Sequence, residues 1–235
     1  MNRKPAGPSP KLPFVLSNFA MTADGKIAFA RDHFVPFGSA RDRRHMMDLR
    51  ATADAVLCGA RTVAVTGAVL GNGGDNFRKQ RLKHGLAEFP LRVIASGSGS
   101  IEPDAGIFKQ RFSPVIVLTT ERISRTKLKS LRAVADVEIF GQREVDFRAA
   151  FGWLRQKWNV RRLLCEGGGE LHSALVRGGL VDELHLTICP KVFGDRRAPT
   201  IADGKGSLKL AGAAPFKLAT AKAIRGELFA IFIPN

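Results

Sequence analysis

The amino-acid sequence predicts an α/β protein: a single-domain mixed β-sheet with helices on both faces, ending in an antiparallel hairpin. Short apolar runs with the length of buried strands alternate with segments whose apolar residues recur at helical spacing. The last two runs, 216–224 and 227–233, are joined by a two-residue Arg-Gly turn, so they must be antiparallel neighbours. No repeat or linker divides the 235 residues. We therefore expect one domain over 13–235, preceded by a disordered N-terminal arm, 1–12.

Seven apolar runs precede the hairpin, and each is a candidate strand. Six of them are apolar throughout or at both ends, which indicates burial within a sheet. The seventh lies within 180–190 and alternates polar and apolar residues, so we expect it to be half exposed or to face another subunit. We expect its His185 to be a strand-surface histidine rather than a general acid. The six buried runs are 14–21, 55–58, 91–95, 114–118, 137–140 and 163–165.

Helix signals separate these runs. Ser39 and Asp42 fit the S-x-x-D capping box, in which each side chain bonds to the backbone of the other residue, so a helix should begin there. The glycine-rich segment 71–88 predicts a surface loop followed by a short basic helix. The apolar residues of another helix recur at i, i+4, i+7 and i+11 and are expected in the core: Phe147, Phe151, Leu154 and Trp158.

The formal net charge of +16 makes nucleic acid the first partner to consider. The basic residues scatter over predicted helix faces instead of forming a stripe, and the chain has no tyrosine and no evident platform for stacking bases. We therefore do not expect nucleic-acid binding. A basic surface that attracts small phosphorylated molecules explains the charge at least as well.

The sequence offers no support for a membrane, secreted or metal-binding protein. No apolar run approaches the ~20 residues of a membrane span, and the N-terminal residues lack the apolar core of a signal peptide. The three cysteines lie far apart in apolar runs, which predicts buried free thiols in a reducing compartment, the cytoplasm. Without a C-x-x-C pair or a His/Cys cluster, we expect no metal.

The stretch 161–180 carries the strongest sign of a functional site. A buried strand there ends at Glu166 and three glycines, Gly167 to Gly169, after which the apolar spacing predicts a helix. Without Cβ atoms the backbone of such a turn can approach a ligand closely, and the N–H groups of a helix start suit a phosphate. A tight turn with no ligand is the alternative. An acid at the carboxyl end of a central strand favours a site.

Two further turns could reach the same edge of the sheet. Gly59 follows the second strand, and Thr62 offers a hydroxyl near the start of the next helix, although it could equally be an ordinary residue of that helix. Asp24 and Lys26 lie in an Asp-Gly turn that closes the first strand. If that strand is central, its turn brings both side chains to the edge where the glycines lie.

Four segments, taken in order, resemble the reductase domain of riboflavin biosynthesis, the C-terminal half of the bifunctional deaminase–reductase. They are N-F-A-M-T-A-D-G-K-I-A at 18–28, L-R-A-T-A-D-A-V-L-C-G-A-R-T-V at 49–63, L-L-C-E-G-G-G-E-L at 163–171 and L-V-D-E-L-H-L-T-I-C-P-K-V-F-G at 180–194. The likeness covers nearly the whole chain from about Pro13 onward. It implies a dihydrofolate-reductase-like fold and a homodimer.

The resemblance implies NADPH-dependent reduction of a ribosylamino-pyrimidine 5′-phosphate. In the family's chemistry the ribose opens through an imine, and hydride delivered to C1′ gives the ribitylamino product. The H-x-E…P-C-x-x-C zinc signature of the deaminase half is absent from the sequence. We therefore expect reduction without deamination.

The resemblance also implies roles for individual residues. One of Asp24, Lys26 and Glu166 would supply a proton, and Glu166 would contact the substrate. Ala20 would line the nicotinamide side. The other implied cofactor-binding positions are Gly59, Thr62, Thr66, Gly167, Gly168, Gly169, Glu170 and Leu171.

On the substrate side the chain departs from the family pattern. Thr66 stands where the family commonly has an aspartate, and a substrate-binding serine is missing near Phe34. After Leu70 the chain has a glycine-rich loop where the family often has an arginine that clamps the ribose phosphate. We expect Leu70 near the substrate, with Arg78 or Arg81 replacing that clamp from the loop.

Two other readings stay open at this point. The altered phosphate clamp allows an NADPH-dependent reductase of the same fold that acts on another pterin- or pyrimidine-like compound. The high positive charge allows a non-catalytic protein that binds nucleotides or nucleic acid.

Overall fold

The computed structural model describes residues 11–29, 35–204 and 212–235. Most of the predicted N-terminal arm, 1–10, and the position near Phe34 lie outside the described residues. Across the described ranges, nine strands and seven helices alternate and end in two antiparallel strands. The predicted α/β class and terminal hairpin are confirmed.

The strands form one sheet in the order β5-β4-β3-β2-β6-β1-β7-β9-β8. Neighbours from β5 to β7 pair in parallel, whereas β9 pairs antiparallel with β7 and β8 antiparallel with β9. The strand that ends just before Glu166 is the middle one. The strands are β1 (Phe14–Thr22), β2 (Ala55–Gly59), β3 (Leu91–Ala95), β4 (Val115–Thr119), β5 (Asp136–Ile139), β6 (Arg162–Cys165), β7 (Glu183–Cys189), β8 (Phe216–Ile224) and β9 (Glu227–Pro234).

Helices cover both faces of the sheet, so the middle strands are apolar on both sides. The helices are α1 (Ala40–Arg50), α2 (Ala60–Thr66), α3 (Asp75–Lys83), α4 (Gly106–Lys109), α5 (Arg125–Arg132), α6 (Phe147–Lys157) and α7 (Gly169–Arg177). One core packs α6 and α7 against the sheet, and the opposite core packs α2, α4 and α5. Helix α1 lies on the second face, where Leu49 contacts Leu16 of β1 and Leu164 of β6.

The position of β7 corrects the prediction of a half-exposed strand. It lies between β1 and β9, and its side chains are mostly buried. His185 is buried as well, with a ring nitrogen 3.2 Å from the ring of His45 on α1, so it is not a surface histidine. Polar residues alternate along β7 because they face buried polar groups of α1 and β9. The most exposed strand is β8, at one edge of the sheet, and β5, at the other edge, is partly exposed.

The start of α1 differs from the predicted capping box in one respect. Ser39 caps the helix as predicted, because its hydroxyl accepts from the backbone N–H groups of Arg41 and Asp42. The return bond to the Ser39 N–H comes from Glu227 of β9, at 3.0 Å, and not from Asp42. The second Glu227 oxygen accepts from the Ser39 hydroxyl at 2.6 Å. Glu227 thus ties α1 to the hairpin and leaves the Asp42 side chain free of a capping role.

Candidate active site

A cavity of about 810 Å³ runs along the carboxyl ends of the parallel strands, which is where open α/β sheets place their sites. Three parts follow one another across the sheet. The basic end lies beyond β3 and β4 and comprises Ser96, Gly97, Ser98, Ser100, Arg122 and Arg143. The glycine turn, Gly167 to Gly169, follows β6 and faces Gly59 after β2. The helix end lies against α1 and comprises Asn18, Gly38, Asp42, Arg43, Arg50 and Glu166.

The glycine turn is held by backbone contacts to β2. The Gly59 N–H donates to the Gly167 carbonyl at 2.9 Å, and Gly167 has a φ of 108°, which favours glycine. A Cβ atom on Gly168 would lie 2.9 Å from Thr62 Oγ1, and one on Gly169 would lie 2.3 Å from the Thr200 carbonyl. Gly168 and Gly169 are therefore required by packing within the protein. The turn still leaves backbone exposed to the cavity, beside the start of α7.

Thr62 and Thr66 lie on α2 and line the middle of the cavity. The Thr62 hydroxyl makes no hydrogen bond within the described residues, so it is available to a ligand. The Thr66 hydroxyl donates to the Thr62 carbonyl at 2.8 Å and accepts from the Ala68 N–H at 3.2 Å. The Thr66 hydroxyl is therefore used within the last turn of α2, although the side chain borders the cavity.

The other residues predicted at the cofactor also border the cavity. Ala20 lies on β1, and Leu171 lines the cavity while it packs in the core beneath α7. Glu170 is exposed and pairs with Arg61 across the cavity rim, at 3.2 Å. A carboxylate in the first turn of α7 competes with an anionic ligand for the helix N–H groups, but its pairing with Arg61 neutralises part of that charge.

Glu166 is held by a buried ion pair. Arg50 Nε and Nη2 each donate to one Glu166 oxygen at 2.5 Å, and the two side chains are only 9% and 7% exposed. Arg50 Nη1 donates to the Gly71 carbonyl at 2.9 Å. Burial would lower the pKa of the Arg50 guanidinium, but the charge and hydrogen bonds of Glu166 outweigh it and raise that pKa above its ordinary value. Both carboxylate oxygens accept from a cation, so Glu166 is placed to bind and not to donate a proton.

Asp24 and Lys26 lie at the rim and do not line the cavity. The Asp24 carboxylate accepts from the Thr22 hydroxyl at 2.6 Å and from the backbone N–H groups of Phe193 and Gly194 at 3.1 and 2.9 Å. The Thr22 and Gly194 bonds are the main causes that lower the Asp24 pKa to about 2. Asp24 is therefore ionised at neutral pH and fastens its turn, which corrects its prediction as a proton donor. Lys26 Nζ donates to the Ala198 carbonyl at 3.4 Å.

The residues predicted to replace the phosphate clamp are not in the cavity. Arg81 is fully buried, and its guanidinium donates to the carbonyls of Arg50, Ala53 and Ala87 at 2.6 to 2.8 Å. Burial lowers its pKa to about 10. Arg81 is an internal tie between α3 and the connection from α1 to β2, so its prediction as a phosphate ligand is wrong.

Arg78 and Leu70, which were also predicted to bind the substrate, do not line the cavity either. Arg78 pairs with Glu88 on the surface. Leu70 is buried in the second core with a left-handed φ of 53°. Neither side chain lines the cavity. Their roles at the substrate therefore stay predictions.

Sequence reasoning missed several polar residues of the helix end and the basic end. Arg50 lies in segment 49–63, one of the four that resemble the family. The only signal for its role was its position before a predicted strand. Asp42 was absorbed into the capping box, and Arg43 into a run of bases on one helix. Arg122 begins the basic stretch 122–132, and Arg143 is an isolated base in the sequence. They join the site because β4 and β5 end next to β3.

The described residues hold no further feature that would change this picture. Their helices are too short or too polar to cross a membrane. No group of three or more His, Cys, Asp or Glu side chains in this part of the chain could hold a metal ion. The three cysteines are buried and free.

Comparison with known proteins identifies a family. The family model described as the RibD C-terminal domain matches residues 13–228. A 2,5-diamino-6-ribosylamino-4(3H)-pyrimidinone 5′-phosphate reductase of Archaeoglobus fulgidus is 32% identical over 197 residues, covering 84% of this chain and 89% of the relative. A protein of the same name from Methanothermobacter thermautotrophicus is 30% identical over 206 residues, covering 88% of this chain and 91% of the relative.

Solved structures with low sequence identity share the fold. Acinetobacter baumannii RibD superposes with a TM-score of 0.77 at 20% identity, over 95% of this chain and 58% of that longer chain. The riboflavin biosynthesis reductase Rib7 of Saccharomyces cerevisiae has a TM-score of 0.67 at 20% identity, over 95% of this chain and 90% of that one. A dihydrofolate reductase of Enterococcus faecalis, complexed with NADP(H), has a TM-score of 0.50 at 10% identity. The predicted dihydrofolate-reductase-like fold is confirmed.

Proposed function

The chain belongs to the RibD C-terminal domain family of riboflavin-pathway reductases, and we propose that it reduces a ribosylamino-pyrimidine 5′-phosphate with NADPH. The observation that carries the proposal is a single cavity that joins three suitable parts. The basic end suits the phosphorylated end of a dinucleotide, the glycine turn suits its pyrophosphate, and the helix end suits a polar sugar and base. Two relatives at 30% identity or more carry the name of this reductase.

The residues present fit a nicotinamide dinucleotide. The glycine turn and Gly59 form a cradle without side chains, and a Cβ on Gly168 would already meet Thr62 at 2.9 Å. The Thr62 hydroxyl and the free N–H groups at the start of α7 would hold the pyrophosphate. Ala20 leaves room for a flat ring beside β1. When bound, the cofactor supplies the hydride.

A preference for NADPH over NADH follows from the basic end. NADPH differs from NADH by a 2′-phosphate on the adenosine ribose, and phosphate is recognised by arginine through charge-assisted hydrogen bonds. Arg122 and Arg143 line this end of the cavity together with the exposed hydroxyls of Ser98 and Ser100. We place the 2′-phosphate between them.

The substrate would lie at the helix end. Glu166, fixed by Arg50, presents acceptor oxygens for the hydroxyl or amino groups of the substrate. The Asn18 amide oxygen is buried there without a hydrogen-bond partner among the described residues, which suits a donor on the pyrimidine. Arg43 is exposed beside the cavity and replaces Arg78 and Arg81 as the proposed ligand of the 5′-phosphate.

A titration of the purified protein with NADPH and with NADH, followed by calorimetry, tests the cofactor half. We expect micromolar binding of NADPH and about tenfold weaker binding when Arg122 or Arg143 is replaced by alanine. Arg125→Ala is the matched control, because Arg125 begins α5 and lies outside the cavity. Equal affinity for NADPH and NADH in the wild type would refute the placement of the 2′-phosphate.

Turnover of the substrate tests the other half. A close alternative is a reductase of another pterin- or pyrimidine-like compound, favoured by the glycine-rich loop that replaces the usual arginine. Efficient reduction of the ribosylamino-pyrimidine 5′-phosphate would exclude that alternative. Binding of NADPH without reduction of this compound would support it.

We also propose a homodimer in the cytoplasm. The three buried free thiols are typical of a reducing compartment. The edge strand β8 offers unpaired backbone groups and the half-exposed Leu218, and a second copy of the chain could cover them. Light scattering checks the assembly, and a monomer at micromolar concentration would contradict it.

A further inference from the structure

Asp42 is a buried carboxyl group that does not cap its helix. The residue is 8% exposed, and its Oδ1 atom has no hydrogen-bond partner among the described residues. Glu227 supplies the return bond that the capping box would have assigned to Asp42. Buried polar atoms are nearly always paired, so an unpaired one in a native protein calls for an explanation.

The place of Asp42 suggests that explanation. It lies in the first turn of α1 and lines the helix end of the cavity beside Asn18, whose amide oxygen is also buried and unpartnered. Thr187 of β7 interacts with it as a hydrogen-bonding neighbour and lowers its pKa, although neither Asp42 Oδ1 nor the Thr187 hydroxyl has a well-formed hydrogen bond among the described residues. Thr187 is the register partner of Ala20, the residue proposed to line the nicotinamide. Asp42 thus lies at the end of the cavity that the proposed function assigns to the substrate.

The Asp42 carboxyl group lies close to the backbone of Gly38. A Cβ atom on Gly38 would lie 2.2 Å from Asp42 Oδ2. Glycine at this position therefore lets Oδ2 rest against the chain at the cavity wall.

The surroundings of Asp42 favour its protonated form. Burial is the main cause that raises the pKa of Asp42, and the negative charge of Glu227 raises it further, while Thr187 and Arg43 lower it in part. Glu166 and Asp24, by contrast, have cationic or N–H partners. Cys189 of β7, whose pKa is raised to about 12, also interacts with Asp42.

We propose that Asp42 is the general acid that protonates the ribose ring oxygen as the sugar opens. This inference rests on the proposed function, because it requires a ribosylamine in the cavity. It differs from the three donors that sequence reasoning offered. Asp24 is held by hydrogen bonds as a carboxylate, both Glu166 oxygens accept from Arg50, and Lys26 does not line the cavity.

The step balances without an oxidant or reductant. The proton passes from the Asp42 carboxyl group to the ring oxygen as the bond between C1′ and that oxygen breaks, and the electron pair of the bond stays on oxygen. The lone pair of the exocyclic nitrogen forms the C1′=N bond. The products are an open-chain iminium, a new hydroxyl group and the Asp42 carboxylate, which water reprotonates after each cycle.

Asp42→Asn tests the proposal, since asparagine keeps the shape but cannot donate a carboxyl proton. We expect kcat to fall about 10² to 10⁴-fold, while KM and the Kd for NADPH change by less than about threefold. Wild-type kcat should fall as pH rises through the pKa of Asp42, and this limb should vanish in the variant. Asp42→Glu, which retains the acid, should recover part of kcat. Asp48→Asn is the matched control, because Asp48 lies on α1 and pairs only with exposed Arg44.

A second readout does not involve the cofactor. Ring opening interconverts the two anomers of the ribosylamine, so NMR exchange spectroscopy without NADPH should show faster interconversion with wild type than with Asp42→Asn. Wild-type kcat and an unchanged pH profile in Asp42→Asn, or equal anomer exchange, would overturn the role of Asp42 alone. Failure of the wild type to reduce the substrate would overturn the proposed function, and this role with it.

Discussion

At the glycine turn, the groups that face the cavity are backbone atoms of Gly167 to Gly169, and a backbone hydrogen bond from Gly59 of β2 holds them. At the helix end, the groups are side chains of α1, and distant residues place them: Glu227 fixes the start of α1 and Glu166 fixes its last residue, Arg50. The first region depends on the absence of side chains, whereas the second depends on buried charges. The two regions should therefore fail in different ways when they are changed.

The largest effect is expected at the buried pair of the helix end. Arg50→Met leaves Glu166 buried without its partner, so the free energy of unfolding should fall by about 3–5 kcal/mol in urea denaturation. Arg61→Met is the matched control. It breaks an ion pair in which both side chains are 64% exposed, and such a pair contributes less than about 1 kcal/mol.

The double variant Arg50→Met with Glu166→Gln sharpens the test of this pair. It should recover part of the lost stability, because no unpaired charge is left, but it should not recover turnover. If Arg50→Met lowers the free energy of unfolding no more than Arg61→Met does, the pair of Arg50 and Glu166 does not stabilise the helix end.

At the glycine turn, steric contact should dominate. Gly168→Ala brings a Cβ to 2.9 Å from Thr62 Oγ1, and overpacking of this kind costs about 1–3 kcal/mol. We expect it to appear as weaker NADPH binding in calorimetry. The loss should be smaller when Gly168→Ala is made in a Thr62→Ala background, where the colliding oxygen is gone. Gly106→Ala, which meets no atom within 4 Å, is the control; an equal loss in both backgrounds would contradict the steric account.

The proposed phosphate ligand should act on affinity for substrate. Arg43→Ala removes a charge-assisted contact, so KM for the phosphorylated substrate should rise about tenfold, with little change for the dephosphorylated compound. Arg41→Ala removes an exposed arginine two residues away that does not line the cavity. Steady-state kinetics of both variants with both compounds decides the point; equal effects would mean that only net charge matters.

The smallest effect concerns the stability of Asp42→Asn. Because its pKa is raised by burial, Asp42 binds its proton more tightly in the folded chain than in the unfolded one. Its contribution to the free energy of unfolding is complete below the ordinary pKa of 3.8 and is lost as pH rises through the raised value. Asparagine does not titrate, so the stability of the variant should increase relative to that of wild type as pH rises from acidic to neutral. A gain that is the same at every pH would contradict this.

The sequence predicted the glycine turn but not the helix end. The glycine turn, β3 and the terminal hairpin were predicted because their signals are local: glycines, apolar runs and an Arg-Gly turn. The fold class followed from their order, and the family resemblance covered most of the chain. These predictions needed no knowledge of which distant residues meet.

The helix end could not be predicted in the same way. Asp42 had a sufficient local explanation as a capping residue, and only the arrival of Glu227 from the last strand showed that it does not cap. Arg81 and Arg43 are both basic residues on helices, and nothing in the sequence tells which one is buried against carbonyl groups. The alternation of β7 indicated exposure because the polar groups of α1 that cover it are distant in sequence.

The central claim is that one cavity binds NADPH along the glycine turn and a ribosylamino-pyrimidine 5′-phosphate against α1. The most direct measurement is turnover of that compound by the wild type, with NADPH oxidation followed by absorbance and the product identified by mass spectrometry. The account predicts one NADPH oxidised for each ribitylamino product formed. NADPH bound in the cavity without reduction of this substrate would contradict it.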